Sequence, residues 1–116
     1  MRKTKICALS LLFVIMVFML GGCGSGTTNI DKGMAAIESL EYKEALNDFK
    51  AAEKAGENER LILRGIGIAD MGLTDYKGAV EAFTKALSMN RLLPQAIDYD
   101  MDYYLAAAYD KAGDPD

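Results

Sequence analysis

The sequence predicts an all-α fold in which antiparallel helix pairs stack into an α-solenoid. From Asn29 onward, apolar residues recur three and four positions apart, as they do on the buried face of an amphipathic helix. Small and aromatic residues also recur at an offset of 34 positions: Gly33, Tyr42, Ala45, Phe49 and Ala52 are matched by Gly67, Tyr76, Ala79, Phe83 and Ala86. Such a period is typical of repeat arrays, in which each helical hairpin buries its apolar face only against its neighbours.

Turn signals bound the first three predicted helices. The first helix begins near Asn29, and its apolar face consists of Ile30, Met34, Ile37 and Leu40. The second is expected over about residues 42–55, followed by Gly56, which can adopt the left-handed conformation that ends many helices. The third is expected over about residues 60–71, and Gly72 ends it.

The fourth and fifth predicted helices are separated by a longer connection. The fourth covers about residues 76–90, and the side chain of Asp75 can cap its amino terminus. Pro94 can open the fifth helix, because proline is tolerated in the first turn but not in a helix interior. This helix runs to Ala112 and stops at Gly113. Its inward side is formed by Ile97, Met101, Leu105 and Ala108.

Residues 1–22 have the pattern of an export signal. A basic start precedes an apolar run over residues 6–20, which is too short to span a membrane comfortably. The run leads into Leu20, Gly21, Gly22 and Cys23, which resemble the lipobox of bacterial lipoprotein signal peptides. The resemblance implies cleavage before Cys23 and lipidation of this cysteine. The alternative is that Cys23 is an ordinary small residue in a simple signal or an uncleaved anchor.

Residues 23–28 are expected to be the lipidated cysteine and a flexible tether, because they are small and polar without an apolar period. Gly24 occupies the place where an aspartate marks inner-membrane retention in such lipoproteins. We therefore expect the protein at the cell membrane or the outer membrane, lipid-anchored and facing the periplasm or the cell exterior. Cys7 would leave with the signal, so Cys23 would be the only cysteine of the mature chain.

The charge balance argues against nucleic acid as a partner. Without the three basic residues of the signal, ten basic and 17 acidic residues remain, a net charge of −7. Phosphate binding requires basic surface, so this balance has the wrong sign for binding nucleic acid. For the same reason, attachment to the membrane is expected to depend on the lipid anchor and not on charge.

The recurring residues resemble the tetratricopeptide repeat, a pair of antiparallel helices in 34 residues. The repeat places a small residue midway along its first helix, an aromatic residue at the turn, and alanine, phenylalanine and alanine along its second helix. The matches imply a domain over residues 29–116, with repeats at about 26–59 and 60–93 and a partial third at 99–116. The third copy is displaced by five residues, has Ala106 at the small place, and lacks its second helix. The alternative is two plain helical hairpins whose spacing agrees by coincidence.

The resemblance also implies a binding groove, lined by the first helix of each pair. Its residues would be Ile30, Met34, Ile37, Arg64, Ile68, Met71 and Tyr103. A largely apolar wall containing methionine would suit an apolar helix or an extended segment of a partner protein. The alternative is that further repeats cover part of this wall.

Residue types for catalysis are scarce. The chain has no histidine, and the lone mature cysteine is the proposed lipid site, so we expect no enzyme, no cofactor and no metal. Asp98, Asp100 and Asp102 alternate as in a calcium loop, but Tyr103 stands at the place of its glycine. We therefore interpret these acids as a solvated helix start.

Together these patterns predict an exported, membrane-anchored lipoprotein whose repeats mediate protein–protein interaction as a scaffold or adaptor in the cell envelope. Self-association through the open end of the solenoid is a further expectation. An alternative is that these are the N-terminal accessory repeats of a larger polypeptide, truncated at residue 116, whose remainder could be an enzyme.

Overall fold

A computed structural model describes residues 26–89 and 93–113, and these residues form five α-helices and no β-strand. The helices are α1 (Asn29–Glu38), α2 (Tyr42–Lys54), α3 (Glu59–Gly72), α4 (Tyr76–Ser88) and α5 (Ala96–Gly113). The predicted all-α class is confirmed for this part of the chain. The predicted signal, Cys23 and the start of the tether lie outside the described residues.

Side-chain caps explain where three of the helices begin. At α1, Thr28 and Asp31 form a capping box, in which each side chain accepts a hydrogen bond from the other residue's backbone N–H. Asn58 caps α3 by accepting hydrogen bonds from two backbone N–H groups. Asp75 caps α4 as predicted, because its side chain accepts a hydrogen bond from the N–H of Gly78 at 3.0 Å.

Two turns contain residues in the left-handed region that the sequence did not indicate. Gly56 has φ of 70° after α2, as predicted, but Leu40 and Thr74 also have φ of 61°. Leu40 and Thr74 stand 34 positions apart in the α1–α2 and α3–α4 turns. The prediction that Leu40 belongs to the apolar face of the first helix is wrong, because α1 ends at Glu38 and the Leu40 side chain is 70% exposed.

The helix α5 starts later than the sequence allowed. The helix begins at Ala96, so Pro94, which the sequence allowed as its first residue, precedes it. Asp98 explains the later start, because its carboxylate accepts a hydrogen bond from the backbone N–H of Gln95 at 2.6 Å. This bond satisfies a donor just before the first turn and leaves Pro94 in the connection, exposed to solvent.

The helices pack as a continuous series. Each helix contacts the next one along the chain, and the first helices of successive pairs also contact each other, α1 with α3 and α3 with α5. Connections of three or four residues within and between the first two pairs make consecutive helices antiparallel hairpins. The buried residues form two clusters, the first between the two hairpins and the second between α3, α4 and α5.

Phe49 is the centre of the first cluster and is fully buried. Its ring lies against Gly33 of its own hairpin and Gly65 of the next one, so closely that a Cβ atom at either glycine would overlap it. In the second cluster, the fully buried ring of Phe83 lies against Gly67 in the same manner, with 2.6 Å between its Cζ and the place of a Cβ atom. Glycine is required at these places because the ring occupies the space of a side chain.

The buried residues of α5 correspond to buried residues of α3. The offset between them is the 34-residue period plus the five-residue displacement of the third copy. Ile62 and Met101 are both almost fully buried, and so are Ala69 and Ala108. By the same offset Tyr104 takes the place of Gly65, and its ring stacks on Phe83 with centroids 5.7 Å apart. The third copy therefore docks on the second through an aromatic pair, where the second docks on the first through a ring on glycine.

We predict that Gly65→Ala destabilises the protein by roughly 1–3 kcal/mol, although alanine is the better helix former. The new methyl group would overlap the Phe49 ring, which Gly33 confines from the other side. Urea denaturation followed by circular dichroism measures the effect. Gly113→Ala is the control, because a Cβ atom there has no neighbour within 4 Å. Adding Phe49→Leu to Gly65→Ala should give less than the sum of the two single losses; full additivity would contradict the overlap.

Candidate functional site

The first helices of the three copies lie side by side. Arg64 on α3 connects them: its Nη1 lies 4.0 Å from the Sδ of Met34 on α1, and its Nε donates a hydrogen bond to Asp100 on α5 at 2.6 Å. The structure thus brings together residues from all three first helices. We call the predicted groove residues on them the first-helix wall: Ile30, Met34, Ile37, Arg64, Ile68, Met71 and Tyr103.

Most of the first-helix wall is only half accessible. Its three residues on α1 pack against the first cluster, and Ile68 and Met71 pack against the second. Arg64 is half-buried as well, but Tyr103 is 73% exposed. The wall therefore combines partly buried apolar side chains with one projecting aromatic ring at the α5 end. Its role in binding a partner stays a prediction.

Arginine and aspartate pairs fasten α5 to the rest of the array. Arg60 is buried, its Nε donates a hydrogen bond to the backbone carbonyl of Ala86 at 3.1 Å, and its guanidinium pairs with Asp98. Arg64 pairs with Asp100 in the same way on a more accessible side. The interpretation of these acids as a solvated helix start is therefore wrong for Asp98 and Asp100, because two arginines of α3 face them.

Sequence reasoning missed this arrangement, although a signal was present. Arg60 and Arg64 lie on a helix that is otherwise mostly apolar or small, and buried charges in proteins are normally paired. Asp102, the third acid of the run, is exposed. Within residues 26–89 and 93–113, no group of three or more histidine, cysteine, aspartate or glutamate residues could hold a metal ion.

Glu57 has a role that the sequence did not predict. From the α2–α3 turn, its carboxylate accepts hydrogen bonds from the backbone N–H of Asn29 and Ile30 and from the Asn29 side chain, at 2.9–3.0 Å. Desolvation raises the pKa of Glu57, but these hydrogen bonds outweigh it and hold the pKa below its ordinary value. Glu57 thus fastens the start of α1, directly after the predicted tether.

The carboxyl group of Asp70 is buried and close to other acidic side chains. It is 9% exposed at the end of α3, and burial, together with the charges of Asp75 and Glu81, raises its pKa to about 6. The carboxylates of Asp70 and Asp75 both approach Gly78 at the start of α4, so this junction gathers negative charge. A group of this kind acts on stability, because its ionisation is disfavoured only in the folded state.

The exposed aromatic residues are concentrated on α5. Tyr99, Tyr103 and Tyr109 are 67%, 73% and 55% exposed. Tyrosine combines a large apolar ring with a polar end and is enriched in protein interfaces. The α5 end of the array is therefore the part of the described surface best suited to contact another protein.

Scans against protein-family models, curated proteins and solved structures each found no match. The resemblance to the tetratricopeptide repeat therefore rests on the residues of this chain. No helix among the described residues combines the length and the apolar character needed to cross a membrane.

We predict that Asp98→Asn destabilises the protein by about 2–4 kcal/mol, because it removes the carboxylate that faces the buried guanidinium of Arg60. The measurement is the free energy of unfolding from urea titration. Asp102→Asn serves as the matched control, since it removes an exposed charge from the same helix. Equal effects of the two substitutions would contradict a structural role of the Arg60–Asp98 pair.

The raised pKa of Asp70 also predicts how stability depends on pH. Its stabilising contribution is complete below the unfolded pKa of 3.8 and is lost as the pH rises through about 6. Asp70→Asn keeps the side chain neutral, so we expect a gain on the order of 1–2 kcal/mol above about pH 7 and a flatter profile between about pH 4 and 6. Urea titrations across this range test the prediction. A variant with the wild-type pH profile would show that Asp70 is not the group responsible.

Proposed function

We propose that this chain is an exported lipoprotein, acylated on Cys23, whose helical repeats bind another protein as a scaffold or adaptor in the cell envelope. The observation that carries the proposal is the recurrence of one packing arrangement at 34 positions. Phe49 on Gly33 is repeated by Phe83 on Gly67, and the left-handed Leu40 is repeated by Thr74. This recurrence supports a tetratricopeptide-like solenoid of two repeats and a truncated third.

The chemistry of the surface supports protein binding. The α5 end exposes three tyrosines, and the first-helix wall contains half-buried apolar side chains as well as one of these tyrosines, Tyr103. Clustered aromatic rings bury much apolar area at a low entropic cost and often supply the main contacts of an interface. The acidic balance of the chain makes a nucleic acid an unsuitable partner, as the sequence indicated.

The proposed anchor would hold the domain close to the membrane. Five residues, 24–28, separate Cys23 from α1, and a fully extended segment of this length spans at most roughly 18 Å. The α1 start is itself fastened by the capping box of Thr28 and by Glu57. The α1 end of the domain would therefore stay near the lipid surface of the cell membrane or the outer membrane.

Site-specific crosslinking in intact cells tests the binding function. A photoreactive amino acid at Tyr103, on the exposed end of the first-helix wall, should give covalent adducts with another envelope protein. The control position is Lys50, which is exposed on α2. Adducts of two copies of the chain from Tyr103 would indicate self-association in place of an adaptor role. The absence of adducts from Tyr103, or equal adducts from both positions, would contradict the proposed use of this wall.

We predict that Cys23→Ala shifts the protein from the membrane fraction to the soluble fraction, because the variant has no thiol to acylate and the mature domain is acidic. Fractionation by ultracentrifugation, with mass spectrometry of the mature amino terminus, measures the effect. Cys7→Ala is the matched control, since Cys7 lies in the apolar run and should be removed with the signal. Persistence of the Cys23→Ala chain in the membrane pellet after removal of residues 1–22 would exclude the lipid anchor.

A further inference from the structure

The end of α3 and the first turn of α4 hold a buried carboxylate without a partner. Asp70 is only 9% exposed, and within the part of the chain that the structure describes its carboxylate forms no hydrogen bond and no ion pair. Buried carboxylates in proteins normally accept hydrogen bonds or lie beside a cation. The surroundings of Asp70 therefore decide what can neutralise it.

Asp70 faces a second carboxylate across Gly78. Oδ2 of Asp70 lies 2.8 Å, and Oδ2 of Asp75 2.6 Å, from the place that a Cβ atom of Gly78 would take. The two oxygens are therefore no farther apart than the sum of these distances. The other oxygen of Asp75, Oδ1, accepts the capping hydrogen bond from the N–H of Gly78, which leaves Oδ2 available. We call this arrangement the carboxylate pair: Asp70 and Asp75, with Gly78 between them.

The charges around the carboxylate pair are negative. Asp75 and Glu81 of α4 are the charged groups that act on Asp70, and both disfavour its ionisation. None of the ion pairs among the described residues includes any of these three acids. Negative charge gathered in this way, without a basic side chain, favours the binding of a cation.

The carboxylate pair is specific to the second hairpin. At the corresponding places the first hairpin has Ala36 in α1 and Glu44 in α2, so it has neither the buried acid nor the glycine. The third copy has Tyr109 at the place of Asp70. Glycine is a poor helix former, and at position 78 it keeps open the space that both carboxylates approach. The acid and the glycine therefore occur together in one repeat only.

We propose that the carboxylate pair binds a calcium ion through Oδ2 of Asp70 and Oδ2 of Asp75, with water molecules as the remaining ligands. Calcium takes oxygen ligands at about 2.3–2.6 Å, so one ion bridges oxygens up to roughly 5 Å apart. It also accepts irregular coordination, whereas magnesium requires a near-ideal octahedron. The bound ion would join the end of α3 to the first turn of α4.

The coordination set accounts for the strength of binding that we expect. Among the described residues no group of three or more acids could hold a metal ion, so Glu81 contributes charge only and water completes the site. Two carboxylates with water suit a dissociation constant of about 0.1–1 mM, the range of extracellular calcium modules. The expectation of no metal concerned histidine and cysteine ligands and a local calcium loop, whereas these ligands are carboxylates on two sides of a helix junction.

Calcium chloride is the probe that tests the proposal. Isothermal titration calorimetry of the full chain, in an uncharged detergent at about pH 8, measures the dissociation constant; Asp70 is ionised there because its pKa is about 6. Urea unfolding with and without calcium measures the linked gain in stability. Potassium chloride of equal ionic strength controls for general screening of the acidic chain. We expect calcium to bind in the stated range and to raise the urea midpoint more than potassium chloride does.

Two variants of the carboxylate pair should each weaken calcium binding by roughly tenfold or more. Asp70→Asn removes a charged ligand, and Gly78→Ala places a methyl group where the two oxygens approach. The matched control is Asp102→Asn, which removes an exposed acid of α5 and should leave the dissociation constant unchanged. Circular dichroism checks that all three variants are folded.

Three results would overturn the inference. Undiminished calcium binding by Asp70→Asn would place the ion elsewhere on the acidic surface. Equal stabilisation by calcium and by potassium chloride would show screening and no site. Absence of calcium binding, with Asp70→Asn more stable than the wild type, would mean that a proton and not a cation neutralises Asp70. None of these outcomes depends on the lipid anchor or on a protein partner.

Discussion

The seating of a phenylalanine ring on a glycine of a neighbouring helix is the contact on which this array depends. Phe49 and Phe83 are fully buried, and Gly33, Gly65 and Gly67 provide the space that each ring fills. Removing a buried phenylalanine side chain typically costs about 3–5 kcal/mol, whereas each glycine lowers helix stability by roughly 1 kcal/mol. The rings therefore outweigh the glycines, and they set how closely successive helices can approach.

The contact between a phenylalanine ring and the next hairpin differs between the second and the third copy. Gly65 receives the ring of Phe49 from the preceding hairpin, but its counterpart Tyr104 brings a second ring to Phe83. Two stacked rings need more room than a ring on a glycine, and α5 is additionally fastened by Arg60 and Arg64 through Asp98 and Asp100. Electrostatic and aromatic contacts thus supplement helix packing at the third copy.

The two sides of α5 differ in how far they are covered by other helices. A first helix normally has one face on the preceding hairpin and one on its own second helix, and α5 has only the former covered among the described residues. The exposed Tyr99, Tyr103 and Tyr109 lie at this end of the described array, opposite the predicted anchor. At the other end, next to the predicted tether, the Glu57 carboxylate accepts hydrogen bonds from the first backbone N–H groups of α1. Different charged groups therefore stabilise the two ends of the array. In the function we propose, the lipid anchor would act at the α1 end and the protein partner at the α5 end.

The sequence by itself determined the helices, because helix periodicity and caps are local. Asp75 caps α4 as predicted, Gly56 turns the chain after α2, and the 34-residue recurrence identified both buried phenylalanines. Leu40, the exception, and Pro94 lie at turns where a neighbouring backbone or side-chain group decides the conformation. Only the tertiary structure decided which charges meet. The hydrogen bonds of Glu57, Arg60 and Arg64 connect residues 26 to 36 positions apart, and no local pattern records such partners. The half-burial of the first-helix wall and the exposure of the α5 tyrosines likewise depend on which helices are neighbours, since the sequence pattern of an apolar or aromatic stripe is the same whether or not another helix covers it.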